Sequence, residues 1–115
     1  LKDKGDHFYK CSDYMSAINA YSKALEVDKE FLLCRLNRAS AYLKVRAFQN
    51  AIDDSTDILN HINALNEEER EDEFYTRMRA RVHLKRGAGF VWLSKFGEGL
   101  EDLKKAVEVK GVFSQ

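Results

Sequence analysis

Five positions recur along this chain in a fixed order: small, aromatic, aromatic, small, then small or aliphatic. Gly5, Phe8, Tyr14, Ala17 and Ala24 return as Ala39, Tyr42, Phe48, Ala51 and Ile58, and after a longer interval as Gly87, Phe90, Phe96, Gly99 and Ala106. A first interval of about 34 residues, with small residues at fixed offsets, is the signature of paired antiparallel helices stacked into a solenoid. The mechanism is steric. A small residue in the first helix of each pair and another in the second let the two backbones approach, while the aromatics fill the space between pairs. One pair cannot bury its apolar face alone, so three pairs are close to the minimum that folds.

The helical reading follows from the periodicity between these landmarks. A first helix is expected over about Leu1–Cys11 and a second over Tyr14–Val27, capped by Asp13 and carrying Ala17, Ala20, Tyr21, Ala24 and Leu25 at three- and four-residue spacing. Asp28-Lys29-Glu30 reads as a turn, about Phe31–Lys44 as the third helix, Val45-Arg46-Ala47 as a connection, and about Phe48–Ile62 as the fourth helix. The added length before the third copy falls in 63–76, whose Glu67–Glu73 segment is acidic apart from Arg70. Asn66 with Glu69 three residues on is a capping-box pattern, and carboxylates in a first turn meet the positive end of the helix dipole. A long fifth helix, about Glu67–Leu93, is expected to follow. The last helix is expected over about Phe96–Val109 with Leu100, Leu103, Ala106 and Val107 inward, leaving 111–115 as a tail too short for another helix.

The expected organisation is one all-α domain over 1–110, with repeats at about 1–31, 32–66 (its insertion running to 79) and 80–110. The 19 acidic and 19 basic side chains cancel, which argues against a nucleic-acid partner held by a global positive field. No apolar run reaches the length of a membrane span, and Leu1-Lys2-Asp3-Lys4 does not read as a signal peptide. Without an initiator Met, the chain reads as a fragment of a longer protein. Cys11 and Cys34 fit neither a CxxC motif nor a disulfide framework, so reduced thiols in a cytoplasmic protein, with a nuclear location also compatible, are expected.

Chemical motifs are missing where an enzyme would need them. His7, His61 and His83 have no metal-ligand spacing, and Gly87-Ala88-Gly89 lies in a helical pattern with no preceding strand to make it a phosphate loop. No catalytic residue, metal site or cofactor is expected. Stacked helix pairs form an extended concave surface on which side chains can converge on one extended peptide. Its expected lining is Tyr9, Lys10, Leu36, Ser40, Lys44, Leu84 and Trp92, together with Lys2, Asp6, Asn37, Arg81 and Lys85.

The recurring pattern resembles the tetratricopeptide repeat family over residues 1–110, which implies three helix pairs in a right-handed superhelical solenoid. The family's usual proline after the second helix is replaced by Lys29. Within that family, the chain is similar to the subclass that clamps the acidic C-terminal tail of the heat-shock protein 70 and 90 chaperones. The clamp positions implied by the resemblance are Lys2, Asp6, Asn37, Arg81 and Lys85. Four of the five keep the required chemistry, three cations and one amide. Asp6 departs from it, since a carboxylate stands where the subclass has an amide donor. Two carboxylates at contact distance repel by about 1–4 kcal/mol, depending on the effective dielectric, and Lys2 one turn away is placed to neutralise Asp6.

Three further segments, Leu36-Asn37-Arg38-Ala39, Arg77 to Gly87 after the lengthened connection, and Gly99-Leu100-Glu101-Asp102-Leu103, are similar to the C-terminal repeat domain of dynein axonemal assembly factors of the dyslexia-susceptibility-candidate type. That resemblance implies a co-chaperone adaptor in cytoplasmic preassembly of the dynein arms of motile cilia, with dynein assembly factors or clients as partners. The alternative is a scaffold that binds a client subunit, or a second copy of itself through an uncapped C-terminal groove, without using the clamp.

Overall fold

The computed structural model describes residues 1–109, so the 111–115 tail lies outside the described residues. Among the described residues seven helices follow one another: α1 (Lys2–Lys10), α2 (Tyr14–Val27), α3 (Leu32–Lys44), α4 (Phe48–Asn63), α5 (Glu67–Arg70), α6 (Glu73–Trp92) and α7 (Phe96–Glu108). Among the described residues there is no strand. The pairs α1/α2, α3/α4 and α6/α7 pack together, each pair packs on the next, and the first helices α1, α3 and α6 touch in succession. This is an all-α solenoid of three helix pairs, with α5 inserted between the second and the third.

The turns inside the three pairs are built alike. Ser12, Arg46 and Ser94 each adopt a left-handed backbone, with φ of 62°, 65° and 62°. Behind each, the next residue's N–H reaches back past the helix end, from Asp13 to the Phe8 carbonyl (2.9 Å), from Ala47 to Tyr42 (2.9 Å) and from Lys95 to Phe90 (2.8 Å). This is the Schellman closure of a helix C-terminus, which satisfies carbonyls the helix leaves unpaired. Glycine usually fills that position. Here serine and arginine do, at a cost of about 1–2 kcal/mol each for the left-handed conformation.

The small residues act as close-approach points. A Cβ on Gly99 would stand 2.8 Å from the Val91 side chain and 3.2 Å from the Gly87 carbonyl oxygen, so α7 presses directly on the backbone of α6. A Cβ on Gly5 would meet the Tyr21 ring at 2.5 Å. Gly97, near Gly99 on the same helix, faces open space. Gly97→Ala is therefore expected to stabilise the domain by about 0.5–1 kcal/mol through helix propensity. Gly99→Ala is expected to destabilise it by about 1–3 kcal/mol through overpacking against backbone that cannot yield, and denaturant titration of the two variants should move the midpoint in opposite directions.

The expected single helix over Glu67–Leu93 is two helices. Asp72 takes an extended backbone (φ −58°, ψ 141°) and its side chain accepts a hydrogen bond from the Phe74 N–H at 2.9 Å, which starts α6 afresh. A short side chain that caps its own backbone competes with helix continuation. Upstream, the capping box is present: the Asn66 side chain accepts from the Glu69 N–H at 2.8 Å and the Glu69 side chain accepts from the Asn66 N–H at 3.4 Å.

Two apolar cores lie between successive pairs. Ile18, Tyr21, Leu25 and Cys34 anchor the first, and Leu36, Ile58, Ile62, Met78 and Val82 anchor the second. A third begins on α6 and α7 and is not completed among the described residues. Leu36, Ile52 and Leu59 are 0%, 4% and 5% exposed, whereas their counterparts in the third repeat, Leu84, Leu100 and Val107, are 45%, 56% and 66% exposed. Of the α7 residues expected to point inward, Ala106 is buried and Leu103 half-buried, but Leu100 and Val107 are not. They face the side that a following helix would cover.

Each of the two later pairs is also pinned by the same polar network. Arg38 of α3 donates from Nε and Nη2 to the two oxygens of buried Asp54 on α4 (2.8 and 2.6 Å) and from Nη1 to Ser22 on α2 (3.1 Å). One repeat on, Arg86 of α6 forks onto buried Asp102 of α7 (2.9 Å twice) and donates to Thr56 on α4 (3.2 Å). Each arginine thus ties its own pair together and reaches the hydroxyl of the preceding pair, while its guanidinium stacks over Tyr42 or Phe90.

Candidate peptide-binding groove

Three helices supply the concave face. Asp6, Tyr9 and Lys10 lie on one side of α1, Asn37, Ser40 and Lys44 on one side of α3, and Arg81 and Lys85 one turn apart on α6. Asp6, Asn37, Arg81 and Lys85 are brought around one open cavity of about 400 Å³, with Tyr9, Lys10 and Ser40 also on its wall. The two edges of this groove differ in charge state.

On the α1 side Lys2 and Asp6 satisfy each other. Lys2 Nζ stands 2.6 Å from Asp6 Oδ2, while Asp6 Oδ1 accepts from the Tyr21 hydroxyl at 2.5 Å and from Asn37 Nδ2 at 3.1 Å. Burial pushes the Asp6 carboxyl upward, but the hydrogen bonds from Lys2, Tyr21 and Asn37 outweigh it and hold the group below its ordinary value. The Tyr21 hydroxyl is held protonated, raised by its burial and by its bond to Asp6. Tyr21 was expected only as an inward residue of the second helix. Its polar end nevertheless completes this cluster, because Gly5 leaves the ring room to lie against α1 and reach Asp6.

On the α6 side the charges have no counter-ions among the described residues. Lys85 is half-buried, and its ammonium is disfavoured first by that burial and then by the neighbouring Arg81 and Lys44. Among the described residues, none of Lys10, Lys44, Arg81 and Lys85 forms an ion pair. Cations gathered this way are stabilised by an incoming anion.

Three expected lining residues lie elsewhere. Leu36 is wholly buried against Ile58, Met78 and Val82, one helical step away from Asn37. Trp92 stacks on Phe48 (centroids 5.4 Å apart, planes 1° apart) with the Arg46 guanidinium 4.7 Å above it, and Leu84 belongs to the exposed apolar face described above. Leu84 and Trp92 are not on the cavity wall, and neither are Lys2 and Lys44, which stand beside Asp6 and Lys85 respectively. Ser40 is on it but spends its hydroxyl on the Leu36 carbonyl at 3.3 Å. No group of three or more His, Cys, Asp or Glu side chains is arranged to hold a metal ion among the described residues, and none of their helices is long and apolar enough to cross a membrane.

The fold has solved counterparts. The second TPR domain of Spaghetti (RPAP3), bound to the HSP90 peptide SRMEEVD, matches with a TM-score of 0.75 and 28% identity, over 95% of this chain and 88% of that one. The chain has the fold of a tetratricopeptide repeat domain. The second TPR domain of human RPAP3, in complex with the HSP70 peptide SGPTIEEVD, matches this chain with a TM-score of 0.74 and 26% identity, over 95% and 79% of the two chains. Among curated proteins, dynein axonemal assembly factor 4 of Pongo pygmaeus is 36% identical over 109 residues, which is 95% of this chain and 24% of the relative's length. No protein-family model matches the chain.

Proposed function

We propose that this domain is a noncatalytic co-chaperone adaptor whose concave groove binds the acidic C-terminal tail of heat-shock protein 90 or 70, and that it serves the cytoplasmic preassembly of axonemal dynein arms. The observation that carries the reading is a set of cations without counter-ions among the described residues, Lys10, Arg81 and Lys85 on the cavity wall and Lys44 beside Lys85, in a chain of zero net charge. A groove so charged recruits carboxylates and repels basic peptides. The solved relatives bound to SRMEEVD and SGPTIEEVD support the ligand class, and the 36% identity to dynein axonemal assembly factor 4 supports the setting.

Calorimetric titration with the peptide SRMEEVD tests it. Binding with a Kd in the micromolar range is expected, weakening as salt is raised from about 50 to about 500 mM and the Debye length shrinks to a few ångströms. Absence of binding, with sedimentation that instead depends on domain concentration, would favour the second reading: self-association through the open face of Leu84, Leu100 and Val107.

A further inference from the structure

We infer that Asp6 is a built-in carboxylate that takes up the polar donors on the α1 side of the groove, so that the groove recognises acidic side chains along a peptide through its α3 and α6 cations rather than a free C-terminal carboxylate. The inference rests on the peptide-binding reading above and specifies which part of the peptide is read.

Its basis is a count of donors. A carboxylate has two oxygens to satisfy, and those of Asp6 take the Lys2 ammonium on one side and the Tyr21 hydroxyl and Asn37 amide on the other. Lys2 and Asn37 are donors that a ligand carboxylate could otherwise engage, and both are already bonded to Asp6 within the fold. Tyr21 fixes the arrangement: it is buried, its ring is wedged against Gly5, and its hydroxyl aims at Asp6 from the second helix of the pair. A second carboxylate entering here would share donors with Asp6 at contact distance. That repulsion corresponds to an affinity loss of between ~5-fold, if fully water-screened, and ~1000-fold at the dielectric of a protein surface. Across the groove the situation is reversed. Lys44, Arg81 and Lys85 have no carboxylate partner among the described residues, and Lys85 is half-buried beside the other two. Glutamate or aspartate side chains of a peptide laid along α3 and α6 would neutralise them without approaching Asp6.

The test compares three probes on the intact domain: SRMEEVD with a free C-terminus, the same peptide amidated, and SRMQQVD with a free C-terminus. The wild-type domain is expected to bind the free and amidated peptides within about 3-fold of each other and to lose at least 10-fold on SRMQQVD. Asp6→Asn, which restores a donor and removes the charge, is expected to raise the preference for free acid over amide by at least 10-fold. A wild-type domain that already favours the free acid 10-fold or more overturns the inference without recourse to any variant. So does an Asp6→Asn domain, shown folded by its thermal transition, whose free-to-amide ratio is unchanged. If SRMEEVD binds only to Asp6→Asn, Asp6 closes the groove instead of redirecting it, and the inference fails while the groove remains a peptide site in the variant. If neither protein binds any probe, the peptide-binding reading itself fails.

Discussion

Asp102→Ala is expected to destabilise the domain by about 3–5 kcal/mol, the range for removing one partner of a buried ion pair, and to lower Tm by roughly 10–20 °C for a domain of this size. Asp102 is buried on α7 and accepts three bonds: two from Arg86 and one shared with His83 Nδ1 at 2.8 Å. Its removal leaves a guanidinium in the α6/α7 interface with only the Thr56 hydroxyl, and leaves a buried imidazole unpaired. An orphaned charge costs more than the pair contributes, so adding Arg86→Met to Asp102→Ala is expected to recover part of the loss. Acid should expose the same dependence. Burial pushes the Asp102 carboxyl upward, but the bonds from His83 and Arg86 prevail and hold it below its ordinary 3.8. Its contribution is therefore fully present above the unfolded value near pH ~4 and is lost as pH falls through the lower folded value. Between neutrality and acid, the stability of Asp102→Ala should fall less steeply than that of the wild type, as read by urea midpoints at successive pH values.

This network illustrates what the sequence carried in the open and what it hid. Arg38 stands as far before Asp54 as Arg86 does before Asp102, and the second pair is displaced from the first just as Gly87 is from Ala39. The recurrence was legible in principle, but a charged residue in an amphipathic helix reads first as solvated, and nothing local marks Asp54 and Asp102 as buried. The helix pairs were legible because their constraint is periodic: Gly87 and Gly99 must both be small for α6 and α7 to meet. The turns were not recognisable as Schellman closures, since Ser12, Arg46 and Ser94 occupy a position normally signalled by glycine. The break at Asp72 was masked by helix-favouring neighbours on both sides. In the groove, Lys2 and Asp6 are one turn apart, so their pairing followed from helix geometry alone. Tyr21 and Asn37 reach Asp6 from 15 and 31 residues away, a convergence set by the stacking of α1, α2 and α3 that no local pattern encodes. Leu36 was misplaced for a related reason: its burial depends on α6 arriving over it from beyond the insertion.

The groove's own cost gives the second large effect. Lys85→Met is expected to weaken binding of SRMEEVD by about 2–5 kcal/mol, the range for truncating a buried, hydrogen-bonded charge pair across an interface, which is a loss of roughly 30-fold to several thousandfold in Kd. In the absence of peptide the same substitution is expected to leave stability unchanged or raise it. Lys85 is half-buried beside Arg81 and Lys44 with no carboxylate partner among the described residues, and burial together with those two cations lowers its ammonium below the ordinary 10.5. A folded-state value below the unfolded one means that the charged lysine opposes folding at neutral pH and that wild-type stability gains a component as pH rises toward the ordinary value. Methionine keeps the apolar stem and removes the charge, so this alkaline rise should be smaller in the variant. Lys2→Met should behave in the opposite way, because the ammonium of Lys2 is already matched by Asp6. It is expected to lower stability modestly and to affect peptide binding less than Lys85→Met. A cation that opposes folding until an anion arrives is what a binding groove requires, and two lysines on one face that respond with opposite signs would separate the ligand's charges from the protein's own.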